Sequence, residues 1–369
     1  MTVTRRGFLG ITAATLATTS AATSPAAASP VATRSAAPPG GGTPSRTLYL
    51  GTYTSSPGGG SGIGIATYEA NGKISATGVL SGVEDPSFLV TRGRHLYAVN
   101  EQRAGGVTAI AIDAPGKLRI LNRQPNQGSA PCHLTIAGDY LLSANYGSGD
   151  LAVHPIRSDG SLGQQTDLVK HKGTTPHAHQ VLQAGKYVLA VDLGTDSIYT
   201  YTLADGKLLL RHQTTLKTGA GPRHLAFHPS GRYAYVANEL DSTITVCRYD
   251  NGRLTPTNTV STIPPGSPQN YPGEVITSPD GRFVYLTNRG HNSIAVFATS
   301  AAGSALSLVS TPSCGGDWPR HCALDPSGRL MFVSNQRSNN VTTFAVAHRT
   351  GGLTQTSSFS IPTPVCVSV

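Results

Sequence analysis

The chain reads as all-β, a seven-bladed β-propeller closed by pairing of its N-terminal and C-terminal strands. Three observations lead there. First, seven prolines (Pro86, Pro131, Pro176, Pro222, Pro272, Pro319 and Pro364) recur at spacings of 45, 45, 46, 50, 47 and 45 residues. Second, six are followed by a glycine (Gly93, Gly138, Gly185, Gly231, Gly281, Gly328) that precedes an Asn or Asp by seven residues, at Asn100, Asn145, Asp192, Asn238, Asn288 and Asn335. Third, glycine is frequent (42 of 369) and charge sparse (13%), a mixture suited to short strands and many tight turns. A repeat of 40 to 50 residues built from short β segments is the signature of propeller blades.

The N-terminus predicts processing rather than fold. Arg5-Arg6 with Gly7-Phe8-Leu9 precedes a mildly apolar Ala/Thr run, and Ala26-Ala27-Ala28 offers a small-residue cleavage site. Residues 1–28 thus read as a twin-arginine-type export signal, which places the protein in the cell envelope or outside the cell. The apolar run is too short for a stable membrane span. Residues 29–45, rich in Pro, Gly, Ser and Ala, read as a flexible linker, and 46–369 as the propeller domain. Loss of the two leader arginines takes the formal net charge from +9 to +7. The basic residues sit singly at turns, which argues against nucleic acid and suits a small anionic ligand. Five cysteines without a C-x-x-C pair exclude zinc-type spacing. One bridge, with Cys314 and Cys322 nearest in sequence, and buried free thiols stand as alternatives.

The repeat from Pro222 illustrates one blade. Pro222 to His228 is a first strand, and Pro229-Ser-Gly-Arg232 turns the chain. Tyr233 to Ala237 is a second strand, Thr243 to Tyr249 a third, and Leu254 to Ile263 a fourth after the Asn251-Gly252 hairpin signal. The Pro-to-Gly interval is 7 residues in the units at Pro86 and Pro131 and 9 in the next four; a difference of two preserves strand faces. Thr47 to Tyr53 looks like a second strand without a first, and Pro364 to Val369 like a first strand without the rest. Joined, they complete the seventh blade and remove the open edges.

First strands line the channel of a propeller, so residues after each proline gather with those at the second-strand ends. The first group includes Ser87-Phe88, Cys132-His133, His177-Ala178-His179, Arg223-His224, Gly273-Glu274 and Arg320-His321; the second includes Glu101, Tyr146, Glu239, Arg289 and Gln336. Five of twelve histidines fall at one repeat position. Polar filling of a solvated channel would not concentrate His, Arg and Glu together, whereas a site needing a base, fixed cations and an orienting carboxylate would.

Pro176-His-Ala-His-Gln180 with Asp192-Leu-Gly-Thr-Asp196, and Gly221-Pro-Arg-His-Leu225 with Val236-Ala-Asn-Glu239, resemble the seven-bladed lactonase family of propeller-type 6-phosphogluconolactonases and carboxy-muconate cyclases. The resemblance spans about residues 47–369. It implies a lactone hydrolase without cofactor or metal, acting on a small anionic lactone as a monomer. Carried over by motif, it implies catalytic roles for His177, Arg223, Glu239 and Arg320; the other channel positions His133, His179, His224, Glu274, His321 and Arg289 are read as binding substrate. Strand alternation points only one of His177 and His179 at the channel, and His177 is taken as the base. Glu239 is expected to hold Arg223 or the imidazole. A cycloisomerase would use the same groups. A non-catalytic binding propeller is the alternative class, and a quinone-dependent oxidoreductase is disfavoured by a single tryptophan.

Overall fold

Alternating apolar residues broken by tight turns give strands of four to nine residues, and the computed structural model contains 28 of them. It describes residues 46–369 except 301; the segments read as an export signal (1–28) and a linker (29–45) lie outside the described residues. The strands form seven four-stranded antiparallel sheets. Six sheets are sequential in the chain, with inner strands starting at Leu89, Pro131, Ala178, Pro222, Tyr271 and Pro319, and are called blades 1 to 6 in that order. In blade 7 the inner strand Pro364–Ser368 pairs with Arg46–Thr52, followed by Ile63–Tyr68 and Ile74–Leu80. The expected closure is therefore present. Among the described residues no helix is long and apolar enough to cross a membrane.

Blade 4 follows its sequence reading closely, with strands Pro222–Phe227, Tyr233–Asn238, Thr243–Asp250 and Arg253–Ser261. Asn251 and Gly252 both have positive φ (45° and 86°), as a two-residue hairpin matching strand twist requires. The recurring Asn has a mechanical purpose. Asn238 is buried at the end of the second strand and donates through Nδ2 to Thr243 and Thr245 on the third, both at 2.8 Å. Asn145 bonds Asp150 likewise and Asn335 bonds Thr342, so the amide ties one strand's end to the next strand's start.

Hydrophobic residues pack between sheets. Seven apolar clusters fill the seven blade-to-blade interfaces; Tyr235 and Val246 of blade 4 meet Val275 and Phe297 of blade 5, for example. The ring closes where Tyr49, Ile65 and Cys366 of blade 7 pack on Leu89, Leu96 and Ile110 of blade 1. All five cysteines are buried free thiols, so Cys314 and Cys322 form no bridge.

One expectation is corrected. In blade 3 the inner strand begins at Ala178, and Ala184 pairs with Tyr187 across the same short turn that joins Ala137 to Tyr140 in blade 2. The two extra residues between Pro176 and Gly185 therefore precede the strand, whereas in blades 4 to 6 they lengthen the turn. Ala178, not Pro176, stands opposite Asp192 as Pro222 stands opposite Asn238.

The closing strand buries Val365, Cys366 and Val367, each 3% exposed or less. At about 1.5–3 kcal/mol per buried apolar side chain, removal of Pro364 to Val369 should cost several kcal/mol. The expected outcome is a melting midpoint well below that of the intact chain; an unchanged midpoint would contradict closure.

Candidate active site

Strict alternation sends neighbouring side chains to opposite faces of a strand, but the inner strands break it. Pro222 stands opposite Asn238 and His224 opposite Ala237, leaving Arg223 as one extra residue, a β-bulge. The same irregularity falls between Pro131 and His133, Ala178 and Gln180, and Pro319 and His321. A bulge re-aims side chains, so consecutive residues both reach polar partners. Arg223 Nε lies 3.3 Å from Glu239 Oε2, and His224 Nδ1 lies 3.0 Å from Glu274 Oε2. In blade 3 the extra residue is His179, which takes the place of Arg223, while His177 precedes the strand on the rim.

The residues at or just after the ends of the second strands form the mouth of the channel: Tyr53, Glu101, Tyr146, Leu193, Glu239, Arg289 and Gln336. Glu239 Oε2 accepts Arg289 Nη2 at 2.6 Å besides facing Arg223. Arg289 also donates to the carbonyls of Tyr271 (3.0 Å) and Pro272 (2.9 Å), which fixes its plane. Arg320 lies 3.9 Å from Glu101 and 5.4 Å from the Tyr53 ring, and Tyr53 donates to Glu101 at 3.0 Å. Three arginines thus face two carboxylates, leaving one positive charge in excess. Although Arg223 is within ion-pair distance of Glu239, neither its Nε nor its Nη1 has an aligned hydrogen-bond partner, and its side chain is 3% exposed. Burial, then Arg289 and Arg320, push its pKa down to about 9, which leaves it cationic at neutral pH.

Glu239 thus faces Arg223, the first of the two partners expected for it, and His177 is held instead by Tyr146. Its Nδ1 donates to the carbonyl of Tyr146 at 2.8 Å and its ring stacks on Tyr146 with centroids 4.4 Å apart. A carbonyl can only accept, so Nδ1 is the donor, and in the neutral tautomer the lone pair is on Nε2. The backbone N–H of His177 donates to Asp192, whose other oxygen lies 2.6 Å from buried His171.

One residue further along the inner strands stand His133, His224 and His321, with His179 beside them at the level of Arg223. The His224 ring lies 5.0 Å from His179 and 5.2 Å from His133, and Phe88 stacks against His133 at 3.9 Å. His321 Nδ1 accepts the N–H of Val367, so its Nε2 carries the proton and points to Glu274 at 3.5 Å. Burial first, then nearby His and Arg charges, hold His133, His179 and His224 well below the ordinary imidazole value. His321 is lowered as well, again by burial.

The fold thus brings together Arg223, Glu239 and Arg289 directly, with Arg320 held separately by Glu101. His133, His224, His321 and Glu274 form a second group deeper in the channel; His179 lies between the two groups, 5.0 Å from His224 and 5.7 Å from Tyr146, the residue that holds His177. The parts that sequence reasoning left without a role are Tyr53, Glu101 and Tyr146. Their signal was position: each follows the end of a second strand, as Glu239 does. Among the described residues no group of three or more His, Cys, Asp or Glu stands in metal-holding geometry.

A closed ring of seven blades with a cationic, histidine-lined axis defines a seven-bladed propeller with a polar channel. Residues 47–369 match the family described as Lactonase, 7-bladed beta-propeller, and the chain belongs to that family. A 6-phosphogluconolactonase of Bacillus subtilis is 38% identical over 341 residues, covering 86% of this chain and 97% of the relative. Two solved structures superpose closely. A putative 6-phosphogluconolactonase of Bacteroides fragilis has a TM-score of 0.82 at 31% identity, over 88% of this chain and 97% of its own. The periplasmic gluconolactonase of Pseudomonas aeruginosa has a TM-score of 0.83 at 29% identity, over 88% and 99%.

The lowered histidines make stability depend on pH. The unfolded chain takes up their protons near pH 6.5 while the folded chain does not, so this stability is complete above about 6.5 and falls as pH drops below it. Each group contributes at most about 1.4 kcal/mol per pH unit. The melting midpoint should therefore fall from pH 6.5 to 5, with a shallower slope in His133→Gln; equal slopes would contradict the assignment.

Proposed function

We propose that the chain hydrolyses the lactone of an anionic sugar acid at the mouth of its channel. The observation that carries this reading is Arg223: a guanidinium 3% exposed, beside two further arginines, with Nη1 unmatched by any protein acceptor. Burying an unsatisfied charged donor costs several kcal/mol unless something else satisfies it. A lactone carbonyl, which gains negative charge as water adds, is such a partner. The names of the Bacillus and Pseudomonas relatives support the same chemistry.

In this mechanism His177 Nε2 takes a proton from the attacking water, and its Nδ1–H bond to Tyr146 keeps the imidazole in the accepting tautomer. Arg223 stabilises the oxyanion as it forms. The tetrahedral intermediate collapses by breaking the ring C–O bond, and the imidazolium returns its proton to the departing alkoxide. The carboxylic acid so formed loses a proton to solvent. Arg289 and Arg320, held flat by Glu239 and Glu101, orient the anionic substrate. A panel of sugar δ-lactones tests the reading. His177→Ala should lower kcat about 10²–10⁴-fold, and Arg223→Ala about 10²–10³-fold. Full rates in both variants would remove them from the site, and loss in His179→Ala alone would move the base to His179.

We also propose that residues 1–28 direct twin-arginine export, consistent with the periplasmic relative. Replacing Arg5 and Arg6 by lysines should retain the protein in the cytoplasm; unchanged export would refute this.

A further inference from the structure

The rim between blades 5 and 6 holds the chain's one tryptophan, in a conformation that a tryptophan should avoid. Trp318 has φ +65°, the left-handed region that costs a bulky residue about 1–3 kcal/mol. Most of the equivalent positions in the ring share this backbone. Asp85, Ala130, Gly221 and Thr363, each just before an inner-strand proline, also have positive φ. Small or polar residues fill those sites, so the indole is present despite the local cost. The backbone carrying it is held firmly: the main-chain N–H of Trp318 donates to Asn292 Oδ1 at 2.9 Å and its carbonyl accepts Gln336 N–H at 3.1 Å.

Two guanidiniums use the indole. Arg289 lies 5.6 Å from its ring centroid and Arg337 only 3.4 Å. At 3.4 Å a guanidinium fits only lying flat, because an edge-on approach would drive its nitrogens into the ring. A flat guanidinium keeps its N–H fork in plane and free to bind a tetrahedral anion with two hydrogen bonds. Arg337 differs from the inner arginines in its partners. Arg223 and Arg289 share Glu239 and Arg320 has Glu101, whereas Arg337 is exposed and has no carboxylate within ion-pair distance. Asp317, whose backbone carbonyl accepts the Arg337 N–H at 3.1 Å, turns its carboxylate to Asn292 Nδ2 at 2.8 Å instead.

We propose that Arg337, laid on Trp318, is the grip for a second anionic group of the substrate, the phosphoryl of a phosphorylated sugar lactone, and so sets its preference over the plain lactone. This rests on the lactonase reading. The inner arginines then serve the lactone ring, and the outer one the distal dianion. Arg337 is a specificity residue, remote from the reacting carbonyl.

Two measurements test this on the whole protein. In the first, kcat/KM is compared for phosphorylated and plain gluconolactone. Arg337→Gln should reduce the ratio of the two about 10- to 100-fold, the loss expected when hydrogen bonds to a charged group are removed. Arg248→Gln, on the outer part of blade 4, should leave the ratio as it is, and Arg337→Lys should fall between. A ratio unchanged in Arg337→Gln overturns the proposal. In the second, 6-phosphogluconate and gluconate are titrated against the emission of Trp318, the sole tryptophan. The phosphorylated acid should bind at least tenfold tighter and shift the emission, and Arg337→Gln should lose both effects. Equal binding of the two acids by the unaltered protein, or a difference that survives in Arg337→Gln, overturns it. Failure of every lactone to react would refute the lactonase reading alone, because the titration judges the grip without turnover.

Discussion

Closure is the constraint on which everything else rests. Each sheet buries one face against the blade before it and the other against the blade after it, so no apolar cluster in the ring survives the loss of a neighbour. The strand Pro364–Ser368 supplies the last missing interface by pairing with Arg46–Thr52 and packing on Leu89 and Leu96. Only when the circle is complete do equivalent positions of separate repeats converge on one axis. Residues as far apart as Tyr53 and Arg320 then become partners.

Electrostatics exploits that convergence. Taking three guanidiniums out of water is costly, and the mouth offsets it with two carboxylates, a phenol and backbone carbonyls. The compensation is incomplete at Arg223, and incompleteness is what a binding site needs. The deeper histidines are a different environment. They are kept neutral by burial, and each proton on His224 and His321 is directed at Glu274.

Much of this was legible in the repeat itself. The Pro, Gly and Asn positions mark inner-strand starts, turns and strand-to-strand ties, each with a local physical cause, so blade 4 could be drawn strand by strand. Arg223, Glu239, His224 and Glu274 were identifiable because the repeat aligned them. The bulge was not legible: one extra residue opposite Asn238 leaves no compositional mark, and it is what lets Arg223 and His224 share a channel. The same blindness placed Pro176 at the head of its strand, when two residues inserted there lift His177 onto the rim. Nor could spacing show that Tyr146, through its carbonyl, orients His177, since a backbone acceptor has no residue identity.

The pair formed by Arg320 of blade 6 and Glu101 of blade 1 reaches across the blade that both chain ends build. At 3.9 Å it has little slack. A slight spreading of the latch would part these two charges while every strand ladder remained intact. The geometry of the channel mouth is therefore the first property that wear in the ring would erode, and the Arg320–Glu101 separation doubles as a gauge of mechanical fit.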